Sequence, residues 1–188
     1  EKLGDEVQAD DVFVFYIAGH GITYDEDGDY YYLPSNFRFI NSEAIQQQGI
    51  SKNDLTRYLS LIKAGKTLML MDTCNAGSFL GNNTRGLSEQ TAIDRLTRST
   101  GHATIVASSD DQAAMEGYEG HGIFTYILVE GLRGKADTDG DGFITLQELS
   151  AYTEEEVLRR SYEKWGYEQT PMRNLRRQDF PIYSSGNR

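Results

Sequence analysis

The chain has 188 residues, of which 38% are hydrophobic and 25% charged, a composition typical of one globular domain with its own core. Its 18 basic and 29 acidic residues leave a net charge of −11, which disfavours nucleic acid as a partner because phosphates would be repelled. No apolar run reaches membrane-spanning length, so we expect no membrane partner. Cys74 is the single cysteine, which excludes an internal disulfide framework and favours a reducing, cytoplasmic compartment, or at least a fold that needs no disulfides.

Three apolar runs predict the strands of a sheet, at residues 12–18, 67–71 and 103–107. The first run is continuous and rich in β-branched and aromatic residues, so we predict a strand that is buried on both faces. Helical patterns lie between and after these runs, the later ones at about 123–133 and 146–164. This order predicts one α/β domain, a three-layer α/β/α sandwich around a mostly parallel sheet.

Two of the predicted strands end in side chains that are used in nucleophilic catalysis. His20 follows the first strand and Cys74 follows the second, each next to a glycine-containing turn. Because ligands bind beyond the carboxyl ends of parallel strands, we expect the imidazole and the thiol to meet at one edge of the sheet. An imidazole can convert a thiol into the thiolate that attacks a carbonyl, and the backbone N–H groups of Gly21 and Cys74 could stabilise the oxyanion.

The residues around both side chains resemble the paired motifs of the caspase and metacaspase superfamily. The first motif is Phe15-Tyr16-Ile17-Ala18-Gly19-His20-Gly21, and the second is Leu70-Met71-Asp72-Thr73-Cys74-Asn75-Ala76-Gly77. The separation of His20 and Cys74 agrees with the roughly 50 residues typical of caspases. Residues 119–126, 169–172 and 178–181 are similar to prokaryotic caspase-like proteins in particular.

The resemblance implies the caspase-hemoglobinase fold over residues 1–188. Residues up to about 80 would correspond to the large subunit, residues 81–101 to a linker, and residues 102–188 to the small subunit. In the family, an opening strand, a helix and a further strand precede the histidine-bearing strand, and they have no counterpart in this sequence. We therefore expect an N-terminal region or a second chain to complete the sheet.

Asp72 stands two residues before the cysteine, as in metacaspases, and by this resemblance it lies at the base of the S1 pocket. A carboxylate there would pair with arginine or lysine, so we predict a protein or peptide substrate that is cleaved after a basic residue. Alternatively, Asp72 caps a turn or orients a loop. Asp111 and Glu116 belong to a segment that resembles the one pairing with the substrate backbone, and we predict that they contribute to substrate binding.

Residues 137–148 match the twelve-residue EF-hand loop. The acidic positions 1, 3, 5 and 12 are Asp137, Asp139, Asp141 and Glu148, and Phe143 would offer its carbonyl at position 7. These hard oxygen donors favour Ca²⁺, which we predict as a cofactor that is not needed for the chemistry itself. The alternative is a solvated acidic loop that caps the following helix.

The leading hypothesis is therefore a cysteine endopeptidase with a dyad of His20 and Cys74, influenced by calcium. Arg85, Arg95 and Arg98 in the polar segment after Cys74 are candidate self-cleavage sites. A non-catalytic caspase-like interaction module that binds calcium is the alternative, and a ligase or an isopeptidase would share the same dyad.

Overall fold

The computed structural model describes residues 6–24, 27–74, 102–109, 112–175 and 179–184. The described strands are β1 (Val12–Thr23), β2 (Tyr30–Leu33), β3 (Ile50–Ser51), β4 (Lys66–Thr73), β5 (His102–Val106), β6 (Phe143–Thr145), β7 (Met172–Leu175) and β8 (Pro181–Ser184). The described helices are α1 (Ala44–Gln48), α2 (Lys52–Leu59), α3 (Ile123–Glu130) and α4 (Leu146–Trp165), and a π-helical segment, Gly131–Lys135, continues α3. The linker predicted at 81–101 lies outside the described residues.

Six strands form the main sheet in the order β3-β2-β1-β4-β5-β7. β1, β4 and β5 are parallel to one another, whereas β2, β3 and β7 are joined to the sheet by antiparallel ladders. The sheet is therefore mixed, and its longest ladder, between β1 and β4, is parallel. All three strands predicted from the apolar runs are confirmed, and β1 continues beyond its run to Thr23.

The side chains of β4 alternate between two apolar clusters, one on each face of the sheet. Leu68 and Leu70 pack in a cluster with residues of α3 and α4. Met69 and Met71 pack on the opposite face with Leu55 of α2. Because both faces of the central strand are covered, the predicted α/β/α layering is confirmed.

The prediction that β1 is buried on both faces is wrong. Val12, Val14 and Tyr16 point to the α3 side of the sheet, and their residues are 37%, 45% and 46% exposed. The other face of β1 packs on the α2 cluster through the partly buried Phe13. The apolar run places hydrophobic side chains on both faces of β1, and the described part of the chain packs against only one of these faces.

The helix boundaries follow from local capping. The Ser51 hydroxyl accepts a hydrogen bond from the backbone N–H of Asp54 at 3.1 Å, so Ser51 is the N-cap of α2. α4 begins with a capping box between Thr145 and Glu148 and ends at Gly166 in the left-handed conformation, close to the predicted limits. The helix predicted at about 123–133 is α-helical as far as Glu130, and the π-helical segment follows it directly.

A buried glutamine holds the segment that leads into α3. Gln169 is fully buried, and its side-chain amide donates to the carbonyl of Ala107 at 2.7 Å. Its side-chain oxygen accepts from the backbone N–H of Met115 at 2.7 Å. Both side-chain polar atoms are satisfied, so this residue ties the end of β5 to the segment that carries Glu116.

Candidate active site

The pairing of β1 with β4 brings the predicted histidine and cysteine together. In this parallel ladder, Gly19 is the register partner of Thr73. His20 and Cys74 are the next residues on the two strands, and neighbouring strands lie about 4.8 Å apart. Cys74 is a half-buried free cysteine that directly follows β4 at the carboxyl edge of the sheet. An imidazole and a thiol on adjacent strand ends can form a nucleophile and its base.

Gly21 allows the end of β1 to approach the main chain of Cys74. A Cβ atom at this position would lie 2.6 Å from the carbonyl oxygen of Cys74 and 2.6 Å from the hydroxyl oxygen of Tyr30. Both distances are shorter than any real carbon–oxygen contact of this kind, so a side chain would push the two strand ends apart. Glycine is therefore required by space at the candidate oxyanion position.

Tyr30 holds the residue before Cys74 by a buried hydrogen bond, a role that no sequence motif indicated. Its side chain is fully buried, and its hydroxyl forms a 2.7 Å hydrogen bond with the hydroxyl of Thr73, the residue before the cysteine. Burial raises the pKa of Tyr30 to about 12, so the phenol stays neutral. The nearby Tyr32 donates its hydroxyl to the carbonyl of Ala18 at 3.1 Å. The consecutive tyrosines at 30–32 are conspicuous in the sequence, but their pattern does not indicate a contact with Thr73.

Asp72 is 3% exposed and lies on the α3 side of β4. Its Oδ2 accepts hydrogen bonds from the backbone N–H of Thr125, at 3.3 Å, and from the Thr125 hydroxyl. Thr125 stands in the first turn of α3, whose N-cap Gly122 makes no side-chain capping bond, so Asp72 caps this helix from a distant strand. The sequence suggested the cap of a turn or the orientation of a loop as the alternative role, whereas Asp72 caps the start of a helix, through one carboxylate oxygen.

The second oxygen of Asp72, Oδ1, is buried and has no hydrogen-bond partner within the described segments. Burial raises the pKa of the Asp72 carboxyl, the Thr125 hydrogen bonds oppose that rise, and the negative charge of Glu116 adds to it. A cation that reached Oδ1 would supply the missing partner and stabilise the ionised form.

Glu116 stands beside Asp72, and the two carboxylates border Gly122. A Cβ atom on Gly122 would lie 2.7 Å from Oδ2 of Asp72 and 3.4 Å from Oε1 of Glu116. Glu116 itself is exposed, so its side chain can contact a bound molecule. The third residue that was predicted to bind substrate, Asp111, lies outside the described residues.

Three of the predicted metal ligands converge in the acidic loop. Asp137, Asp139 and Asp141 each offer a carboxylate oxygen, and these atoms lie within 4.8 Å of one another. The same carboxylates accept hydrogen bonds from backbone N–H groups of the loop, such as that of Gly140 on Asp137 at 2.8 Å. The donors are hard oxygens, a set that fits calcium.

Glu148 does not belong to this trio of aspartates. Its Oε1 accepts from the backbone and hydroxyl of Thr138, and its Oε2 accepts from the backbone and hydroxyl of Thr145. These bonds, above all that from the Thr145 backbone, lower the pKa of Glu148 to about 2. Phe143 lies in β6, which pairs with β8 of the same chain. The acidic loop is therefore anchored at its C-terminal end by the short β6–β8 sheet.

The family model of the caspase domain matches residues 1–181. The chain belongs to the caspase family. This membership makes it a hydrolase of the cysteine peptidase type, which acts on protein substrates. A search of curated proteins returns no match. Among the described helices, none is long and apolar enough to cross a membrane.

Replacing Gly21 with alanine tests the close approach of the two strand ends. We expect Gly21→Ala to reduce peptide cleavage roughly 100-fold, because a displacement of about 1 Å between reacting groups has an effect of this size. The measurement is kcat/KM with a peptide substrate, alongside the free energy of unfolding.

Gly166→Ala is the matched control, since Gly166 has a positive φ of +64° but a methyl group there would meet no atom of the described residues within 4 Å. This change should strain the backbone by roughly 1–2 kcal/mol and leave kcat/KM unaltered. Equal losses of activity in the two variants would contradict a specific role for the space at Gly21.

Proposed function

We propose that the protein is a cysteine endopeptidase in which His20 and Cys74 form the catalytic dyad. The observation that carries this proposal is the parallel register of β1 and β4, in which the residues before His20 and Cys74 are direct partners. Membership of the caspase family supports the same chemistry. The free and half-buried state of Cys74 is compatible with a nucleophile that a substrate can reach.

In the proposed reaction, Sγ of Cys74 attacks the carbonyl carbon of the scissile peptide bond. His20 takes the thiol proton and then delivers it to the leaving amine as the C–N bond breaks. Water next attacks the thioester, with His20 as the base, and releases the acid product and the thiol. The backbone N–H groups of Gly21 and Cys74 would stabilise the oxyanion in both steps.

We further propose that Asp72 selects arginine or lysine at P1. The support is its buried Oδ1, for which the described residues provide no hydrogen-bond donor, while Oδ2 is held by Thr125. Guanidinium presents N–H donors in a fixed fork that suits such an oxygen. The nearby Glu116 adds negative charge, so a P1 aspartate would be repelled.

We propose that calcium binds to the acidic loop and regulates the protein. Asp137, Asp139 and Asp141 would coordinate the ion, and Phe143 and Glu148 would fill the remaining positions of the motif. The three aspartate oxygens support this assignment. Glu148 would have to exchange its hydrogen bonds with Thr138 for a bond to the ion, which would make the affinity modest.

A further strand, from an N-terminal region or from a second chain, is proposed to pair with β1. On the side of β1 away from β4, β2 pairs only with residues from His20 onward, and no described strand lies beside Val12–Gly19. Solvent-facing edge strands usually carry charged residues, and residues 12–18 have none. The exposed Val14 also lines an apolar groove of about 690 Å³ together with Leu68 and Leu70.

The division of the domain into parts that resemble a large subunit (1–80), a linker (81–101) and a small subunit (102–188) is likewise a proposal. Its support is the position of Arg85, Arg95 and Arg98, which lie between the strand that carries Cys74 and the next strand of the sheet. Cleavage there would leave both halves joined through the β4–β5 ladder.

A fluorogenic peptide panel with Arg, Lys and Asp at P1 tests the proposed reaction and its specificity. We expect cleavage after Arg and Lys and none after Asp, with activity abolished in Cys74→Ala and His20→Ala. Running each assay with calcium and with a chelator tests regulation, and Asp137→Asn/Asp139→Asn is the control that should remove any calcium response.

Cleavage by the Cys74→Ala protein, or a preference for Asp at P1, would contradict the proposal. Labelling of Cys74 by an arginine-mimicking electrophile separates an enzyme from a non-catalytic module, because a module should not react.

Self-processing is tested by mass spectrometry of the active protein after incubation. We expect new termini directly after Arg85, Arg95 or Arg98, since the proposed S1 site accepts arginine. The Cys74→Ala protein provides the control and should remain uncut. An active enzyme that shows no cut after these three residues would rule out processing in this segment.

The strand proposed beside β1 is tested by amide hydrogen exchange in the protein isolated from its natural source. We expect the outward-facing amides of Val12–Gly19 to exchange slowly, because a neighbouring strand would bond them. If they exchange as fast as the amides of the exposed turn residues Glu119 and Gly120, β1 has no partner on that side.

A further inference from the structure

Three side chains from three separate elements form a hydrogen-bonded chain that ends at the Asp72 carboxylate. Tyr16 of β1 and Thr125 of α3 have their hydroxyl oxygens 2.6 Å apart. The Thr125 hydroxyl is in turn bonded to Oδ2 of Asp72 on β4. This network of hydrogen bonds connects β1, α3 and β4, and its last member, Asp72, lies two residues before Cys74.

The direction of these bonds follows from the number of protons available. An ionised carboxylate only accepts, so the single hydroxyl proton of Thr125 is donated to Asp72. The Thr125 oxygen must then accept from Tyr16, whose hydroxyl acts as the donor. Burial raises the pKa of Tyr16, so its phenol keeps that proton at neutral pH. Tyr16 therefore orients the Thr125 hydroxyl, and Thr125 donates to the carboxylate.

Thr125 contacts only one of the two carboxylate oxygens, and it contacts that oxygen twice. Its backbone N–H, 3.3 Å from Oδ2, and its hydroxyl both converge on this atom. Two donors on Oδ2 fix the rotation of the carboxylate and leave Oδ1 without a partner in the described structure. An unpaired buried carboxylate oxygen is costly, so it favours a ligand that brings its own donors.

We propose that Thr125, oriented by Tyr16, is a positioning residue that holds the Asp72 carboxylate with Oδ1 free to receive the guanidinium of a P1 arginine. This inference rests on the proposed function, and it adds two specificity-determining side chains to it. Thr125 touches neither the scissile bond nor the substrate cation. It acts through Asp72, so its loss should change recognition of the P1 charge more than the reaction of the thiol.

The test compares two peptides that differ only in having arginine or citrulline at P1, because citrulline keeps the shape of arginine without its charge. We expect the native protein to prefer arginine in kcat/KM. Thr125→Val keeps the backbone N–H and the volume but removes the hydroxyl, and it should lower the arginine-to-citrulline ratio roughly 10-fold.

Two further variants separate positioning from folding. Thr125→Ser restores the hydroxyl and should return the ratio to within about 3-fold of the native value, whereas Tyr16→Phe removes the orienting donor and should lower it by roughly 3-fold or more. Alkylation of Cys74 by iodoacetamide, which carries no charge, should proceed at the native rate in all three variants.

Equal losses for arginine and citrulline peptides in Thr125→Val would overturn the inference and leave the Asp72 assignment standing. If Thr125→Val does not fold, an unchanged ratio in Tyr16→Phe overturns it instead. A native enzyme that cleaves both peptides equally would refute the role of Asp72 in P1 selection, and this inference with it.

Discussion

The parallel ladder between β1 and β4 is the constraint on which the rest of the structure depends. It joins eight residue pairs from Val12 to Gly19, and its last pair fixes which residues emerge together at the carboxyl edge. A slip of one residue would turn the side chains of one strand to the opposite face of the sheet. The imidazole and the thiol would then no longer emerge side by side, although both motifs would be intact.

Asp72, near the same end of β4, caps a helix and is also the residue that we propose to select the P1 side chain. Asp72 caps α3 through Oδ2 and leaves Oδ1 buried without a partner among the described residues. These purposes are compatible because a carboxylate has two acceptor atoms and Thr125 occupies only one. The stability of the helix start and the proposed selection of a basic side chain thus depend on the same ionised group, which burial and, to a lesser extent, the neighbouring Glu116 destabilise.

β1 shows that an apolar sequence pattern does not by itself decide which faces of a strand are buried. Its apolar residues face both sides of the sheet, yet Val14 and Tyr16 are nearly half exposed. Fully burying a side chain such as Val14 contributes roughly 1.5–3 kcal/mol, so covering this face would be strongly favourable. The acidic loop is a different case, because its β6 strand already pairs with β8 and Ile144 is fully buried there.

Much of this protein was determined by sequence alone. The apolar runs specify which segments become strands, and the positions of His20 and Cys74 directly after two of these runs indicated the candidate site, because these features are local in the chain. Only the tertiary structure decided which side chains meet Asp72. Thr125 lies 53 residues away from it and Tyr16 lies on another strand, and no local pattern encodes a contact between them. Nor could the sequence show that one face of β1 is left open, since burial depends on what packs above a strand as well as on its own residues.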